Sequence, residues 1–317
     1  MKNRENIKQL YLEQLIGPAA KQNRPGAGND YLVLKSAAAG YEQVNRTLGG
    51  FYYDDGSKML HTTVNSAVGA TTASRGDRIY VLEGHTENLT AATSVNLNVN
   101  GVSVIGIGEG GLMPKFSATA LAGSITISGT DCLLENIWVY SNATDGVTSG
   151  ITVAATADGS TLRRIRMTEA ANTKEFLTWI AVATTIADLT IEDCVLQGII
   201  GGTDANAIKF AGTSADCVLR NNYIYGDFSG AVVDHLTGAS TTLRATGNRM
   251  ANMDAGAGLV FSLKSDGTAY CTDNYAFGNK IDATVFVGAA AVWHQNYGSN
   301  TLGDSGILFP AAAAAIP

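Results

Sequence analysis

The sequence predicts an all-β solenoid, a parallel β-helix of about eight to nine coils with a short N-terminal helical arm. Three observations carry this. The chain is poor in charge and rich in glycine, with 15% Asp, Glu, Lys and Arg and 36 glycines in 317 residues. The same pair of short β-rich runs recurs in the same order. A column of corner-forming residues marks each recurrence.

Composition removes several classes. With 45% hydrophobic residues the chain can build a core, unlike a disordered tail. The glycines have no three-residue period, so it is not collagen-like. No run of about 18 apolar residues suggests a membrane span. A net charge of −7 argues against nucleic acid as a partner. Residues 1–15 are polar and lack the apolar core of a secretory signal, so synthesis in a reducing cytoplasm is expected. The four cysteines, Cys132, Cys194, Cys217 and Cys271, form no C-x-x-C pair and read as buried thiols.

The elements follow in chain order. Residues 1–60 read as an arm and capping segment. Ile7, Leu10, Tyr11 and Leu15 share a helical face that Gly17 and Pro18 end. Residues 21–30 read as a linker. Tyr31–Leu34 and Gly50–Tyr53 read as extra strands over the first coil. His61–Val68 reads as a short amphipathic cap, and Gly76–Gly84 as turn, strand, turn: the first coil. The helix itself spans 61–300. Its first runs include Ser124–Ser128, Gly150–Val153, Trp179–Val182, Ala207–Phe210, Ala231–Val233, Gly258–Phe261 and Thr284–Val287. Its second runs include Cys132–Val139, Leu162–Met167, Leu189–Val195, Val218–Ile224, Leu243–Met250, Tyr270–Tyr275 and Val292–Tyr297. Alternation puts Ile151 with Val153, and Ile208 with Phe210, inside.

The column holds Gly106, Asn136, Arg164, Asp193, Asn222, Asn248, Asn274 and Asn296, at intervals of 30, 28, 29, 29, 26, 26 and 22 residues. Asn, Asp and Gly tolerate a left-handed corner. Arg164 breaks the pattern, so either that corner is built differently or the register slips there. Asparagines of adjacent coils are expected to form a hydrogen-bonded structural ladder. Residues 301–317 form an apolar tail, Gly306–Pro310 followed by an alanine run, expected to lie in a groove of its own or of another chain.

The capping segment followed by Gly76, Asp77, Ile79, Tyr80, Val81 and Gly84 resembles the opening of right-handed parallel β-helix proteins of the pectin-lyase-like superfamily. The coil pattern extends the resemblance over about residues 76–300. It implies a right-handed helix and, since such openings are common in phage and marine viral proteins, a virion setting. The fold itself carries lyases, hydrolases, adhesins and inert virion parts.

Chemistry is sparse by these criteria. Glycoside hydrolysis needs two carboxyl groups about 5–10 Å apart. Asp204 with Asp234, and Asp158 with Asp188, are the candidate pairs, with turn capping as their competing role. The resemblance implies, for polygalacturonases, an Asn-Thr-Asp run, an Asp-Asp pair, Gly-His-Gly and Arg-Ile-Lys. They do not occur as a set: Thr86 follows Gly84 and His85, and Asp54–Asp55 lies outside the rod. The Arg-x-Pro-x-x-Arg stretch of pectate lyases is also missing. His61, His85, His235 and His294 have no metal-binding spacing. No G-x-S-x-G occurs, and Gly106–Gly111 reads as a turn. No catalytic, cofactor or metal residues are therefore assigned.

Three functions compete. The first is a structural virion protein of a tailed phage, a trimeric capsid decoration or cement protein assembled in the host cytoplasm. It would dock on the major capsid or another virion protein through its N-terminal arm and C-terminal tail. The second is a tailspike that binds or depolymerises a host surface glycan, with Tyr223, Tyr225 and Phe228 as candidate stacking residues. The third is a polysaccharide lyase or hydrolase.

Overall fold

The computed structural model describes residues 28–38, 40–144, 146–202, 204–235, 240–254, 259–263, 269–278, 286–287, 291–300 and 305–307. The expected helical face of residues 7–15, the apolar tail of 311–317 and their docking lie outside these residues.

The chain winds as a right-handed parallel β-helix of about eight turns. One coil shows the path. Leu133–Glu135 lies in sheet 1, Trp138–Ser141 in sheet 2 and Val147–Val153 in sheet 3, and Thr161–Arg163 returns to sheet 1 one coil on. Among the described residues these sheets have eleven, ten and eight strands. Equivalent strands pair in parallel, as in Trp138↔Arg166 and Ile151↔Ile180. Ser305–Ile307 instead turns back antiparallel on Tyr297–Asn300.

Alternation fills the interior as expected. Ile151, Val153, Ile208 and Phe210 are all buried in one continuous core. Stacking like residues coil on coil makes parallel sheets with both neighbours paired, so interior polar backbone is satisfied by the ladder. The four cysteines are free and buried in this core. Burial pushes the Cys217 thiol up to about 11 and Cys194 up to about 12, which keeps both as inert thiols.

The corners correct the sequence reading. Sheet 1 turns into sheet 2 through one left-handed residue: Asn136 (φ 55°), Arg164 (53°), Asp193 (54°), Asn221 (55°), Gly247 (66°), Asp273 (56°) and Gln295 (50°). Arg164 is therefore a regular member, not the break. The slip comes two coils later, beyond Asp193. Asn222, Asn248, Asn274 and Asn296 sit one residue past the corner and point inward, where Ile137, Ile165 and Cys194 stand in earlier coils. Gly106 is outside the left-handed set; its carbonyl accepts from Asn136 Nδ2 at 2.8 Å.

The expected ladder forms from the four asparagines. Asn248 Nδ2 and backbone N–H both donate to Asn274 Oδ1 (2.9 and 3.1 Å), and Asn274 repeats this toward Asn296 (2.9 and 3.1 Å). Each Nδ2 also donates to a carbonyl across the corner, such as Ala245 O at 2.8 Å. Cys194 N starts the chain on Asn222 Oδ1 at 3.0 Å.

The opening of the rod is sealed as the sequence indicates. Thr63 caps a helix over Val64–Val68, accepting from Ser66 N at 3.2 Å, and Val64, Ala67 and Val68 bury over the core end. Asp77 pins this cap. Its two oxygens accept from Asn29 N and Thr72 N, each at 2.7 Å, and from Arg75. Asp30–Val33 pairs parallel with Arg78–Val81, giving the extra strand expected at Tyr31–Leu34. Gly50–Tyr53 forms no strand, only a Tyr52↔Lys58 bridge. A helix over Tyr41–Leu48, not anticipated from sequence, buries Val44 and Leu48 against Leu32, Leu34, Met59 and Leu60.

Candidate functional site

Two arrangements stand out: a strip on the outer face of sheet 2 and a carboxyl cluster at the turn from sheet 2 to sheet 3.

The strip comes from register. From Lys115 to Tyr297 the first residue of each sheet 2 strand points outward, and from Trp138 on it stands two residues past the left-handed corner. In successive coils that position holds Lys115, Trp138, Arg166, Val195, Tyr223, Arg249, Tyr275 and Tyr297. Two residues further along, Tyr140, Tyr225 and Phe277 also face outward, half-buried.

The two ends of this strip differ. At the N-terminal end the aromatic faces are taken. Lys115 Nζ lies 4.4 Å from the Trp138 ring centre and 3.6 Å from that of Tyr140, and the Arg166 guanidinium lies 4.7 Å from Trp138. The Trp138 indole donates to Thr168 Oγ1 at 2.7 Å. At the C-terminal end Tyr223, Tyr275 and Tyr297 are 48, 48 and 46% exposed. Arg249 is exposed between Tyr223 and Tyr275 and makes no ion pair among the described residues. Tyr223 to Tyr297 covers about 14 Å, three strand spacings. Between the ends lies a shallow groove lined in part by Arg164, Arg166, Asp193 and Gln197.

The second arrangement is interior. Glu169 ends its sheet 2 strand; Oε1 accepts from Phe176 N and Oε2 from Ile199 N, each at 3.0 Å. Asp204 Oδ2 accepts from the Trp179 indole at 3.2 Å, and Oδ1 has no hydrogen-bond partner among the described residues. Both carboxyls converge on Gly198: a methyl there would sit 3.2 Å from Asp204 Oδ2 and 3.4 Å from Glu169 Oε2. Glu175 is buried alongside, its Oε2 against Gly202. Burial, then the charge of Glu169, pushes the Asp204 carboxyl up to about 9. Burial also raises Glu169, to about 7.

The sequence candidates fall as follows. Asp204 pairs with Glu169, not with Asp234, whose strand position is beside Lys209 (3.9 Å). Asp158 Oδ1 accepts from Ala187 N at 2.8 Å, and Asp188 is a left-handed turn residue, so both serve turns. Tyr223 is on the open strip with Tyr225 behind it, whereas Phe228 is core, its ring 6.2 Å from Trp179. Gly110–Leu112 is a short 3-10 turn. His61 bonds Ser66 and the Lys58 carbonyl, His85 bonds Glu87, His235 bonds Ser214, and His294 is exposed in sheet 1. Among the described residues no group of three or more His, Cys, Asp and Glu is arranged to hold a metal. Glu169 and Arg249 were missed. The signal for Arg249 was available, since it follows the corner by the same interval as Tyr275.

No family model and no curated protein matches this sequence. Solved structures are similar in fold. Pectin methylesterase from Aspergillus niger, in a penultimately deglycosylated form, is 13% identical with a TM-score of 0.47, over 89% of this chain and 88% of that one. A pectin methylesterase mutant in complex with a hexasaccharide is 12% identical with a TM-score of 0.43, over 85% and 89%.

Proposed function

We propose that this chain is a glycan-binding β-helix, the tailspike-like alternative among the three functions, and that it holds an acidic glycan along the C-terminal part of sheet 2. The observation that carries this is the in-register run Tyr223, Arg249, Tyr275, Tyr297, open to solvent. The apolar C–H face of a sugar packs on an aromatic face, and the tyrosine hydroxyl remains free for hydrogen bonds. Repetition at one strand spacing, about 4.8 Å, suits an extended chain lying along the rod. Arg249 supplies a bidentate donor for a carboxylate or other anionic group. It keeps its guanidinium in solvent on a chain whose net charge is −7. The strip is a surface that the glycan reading uses and the capsid-decoration reading, which draws on the terminal segments, does not.

Screening the protein against acidic and neutral oligosaccharides tests this. Binding to acidic chains of several sugars is expected, with Arg249→Ala removing the preference for acid. A protein that binds none of them, yet stays on purified phage heads and stabilises them, would instead be a decoration protein.

A further inference from the structure

We propose that the turn at residues 198–202 is a proton-held clasp: Glu169 and Asp204 share a proton beneath it, and loss of that proton releases the turn from the rod. The argument starts from geometry. Glu169 Oε2 is the acceptor for Ile199 N, so this carboxyl anchors the turn directly. Its other oxygen is held by Phe176 N on sheet 3, so Glu169 ties the turn to the sheet across it. Asp204 lies on the far side of the turn, fully buried, with Oδ2 on the Trp179 indole. Gly198 leaves the space in which the two carboxyls meet.

Two carboxylates in such contact cannot both be charged without strong repulsion, because the interior screens charge poorly. The charged groups facing the pair make this worse. Glu175 comes from the turn before Phe176–Val182, and its charge acts on both carboxyls. Asp227, from the next coil, accepts from Gly201 N at 2.7 Å. Lys174, beside Glu175 in sequence, donates to Asn142 Oδ1 at 3.0 Å, and Arg166 faces outward over Trp138. Trp179 offers a neutral donor.

The sign follows from the direction of both shifts. Both carboxyls are raised above their unfolded values, so the protonated cluster favours the closed turn. That stabilisation is fully present below the ordinary carboxyl range, about pH 4, and is lost as pH rises through about 7 to 9. Opening would bare Trp179, which a methyl at Gly198 would meet at 3.0 Å, and its ring partner Phe228.

Amide hydrogen exchange from pH 6 to 9.5, corrected for intrinsic rates, reads this directly. Protection of the Ile199 amide is expected to fall at least tenfold, while the Val218–Arg220 amides keep theirs. Asp204→Asn, which keeps an acceptor for Trp179 and gives Glu169 a permanent donor, is expected to hold Ile199 protection flat. If that variant does not fold, Glu169→Gln serves the same purpose, with weaker protection but no pH dependence. Constant Ile199 protection in the wild type overturns the proposal. So does a loss shared by all coils, or the same loss in a variant that folds.

Discussion

Coils before and after Asp193 use one backbone and fill it differently. In the earlier coils the position inside the corner holds Ile137, Ile165 and Cys194, which need only packing. In the later coils it holds Asn222, Asn248, Asn274 and Asn296, each bonded to the next. The outer surface changes with it. Earlier coils cover their aromatics with Lys115 and Arg166 and carry a chain of Glu135, Arg163 and Glu192 on sheet 1, which ends on Arg220 of the first later coil. Later coils replace that chain by the hydroxyl pair Thr246 and Thr272 (2.7 Å) and leave Tyr223, Tyr275 and Tyr297 open. A half that satisfies itself on its surface has little left for a ligand. A half held together from inside keeps its surface available.

The sharpest way to break this contrast is inside the ladder. Asn274→Ala removes the acceptor of two Asn248 donors and the donor to Ala245 O and Asn296 Oδ1. Each orphaned buried group costs about 1–3 kcal/mol, and the bonds support one another along the chain. A loss of roughly 3–5 kcal/mol in denaturant unfolding is expected. A loss under 1 kcal/mol would mean that water replaces the side chain and the ladder is not what holds these coils.

The reverse exchange tests the other half. Ile165→Asn places an amide between Ile137 and Cys194, which offer no side-chain acceptor of matching strength. Cavity and desolvation together are expected to cost about 2–4 kcal/mol. If the variant is as stable as wild type, the column accepts either chemistry and the choice between halves carries no meaning.

These two positions also show what was legible in sequence. The period, sheet alternation and cap were readable because each depends on residue type at a fixed spacing: Ile151 with Val153, or Asp77 with its glycine neighbour. The corner was misplaced by one residue because an asparagine suits both the left-handed position, as Asn221 does, and the inward one, as Asn222 does. Two adjacent asparagines leave composition with no way to choose. Hydrogen bonding to the next coil makes the choice, and that is a contact across 26 residues. The carboxyl cluster was half visible. Asp204 stood out as an acid in a turn, but its partner was sought one coil ahead, at Asp234, and lies one coil behind, at Glu169. The Tyr41–Leu48 helix was missed because only Val44 and Leu48 mark its buried face.

On the surface the contrast predicts a split between affinity and stability. Tyr275→Ala is expected to weaken acidic-glycan binding about tenfold, near 1.4 kcal/mol, with an unchanged unfolding midpoint. Trp138→Ala is expected to do the opposite: little change in binding, and a loss of roughly 1–2 kcal/mol in stability, because its contacts are with its own chain. Equal effects of the two on binding would erase the distinction between closed and open strip.

The smallest effect is expected on sheet 1. Glu192 is buried while Arg163 and Arg220, its partners, are 39 and 51% exposed at the side chain. Exposed arginines gain little from pairing, since water solvates them well in either state. Glu192→Gln keeps the shape and a hydrogen-bond acceptor, so the cost is expected near 1 kcal/mol at low salt, shrinking as ionic strength rises. Denaturation at about 0.02 and about 0.5 M salt measures both. The chain is charge-poor, so this ladder concentrates much of its coil-to-coil electrostatics in one place. A cost well above 2 kcal/mol, insensitive to salt, would show that the buried carboxylate governs the chain and that the N-terminal half, like the C-terminal one, is held by a polar ladder.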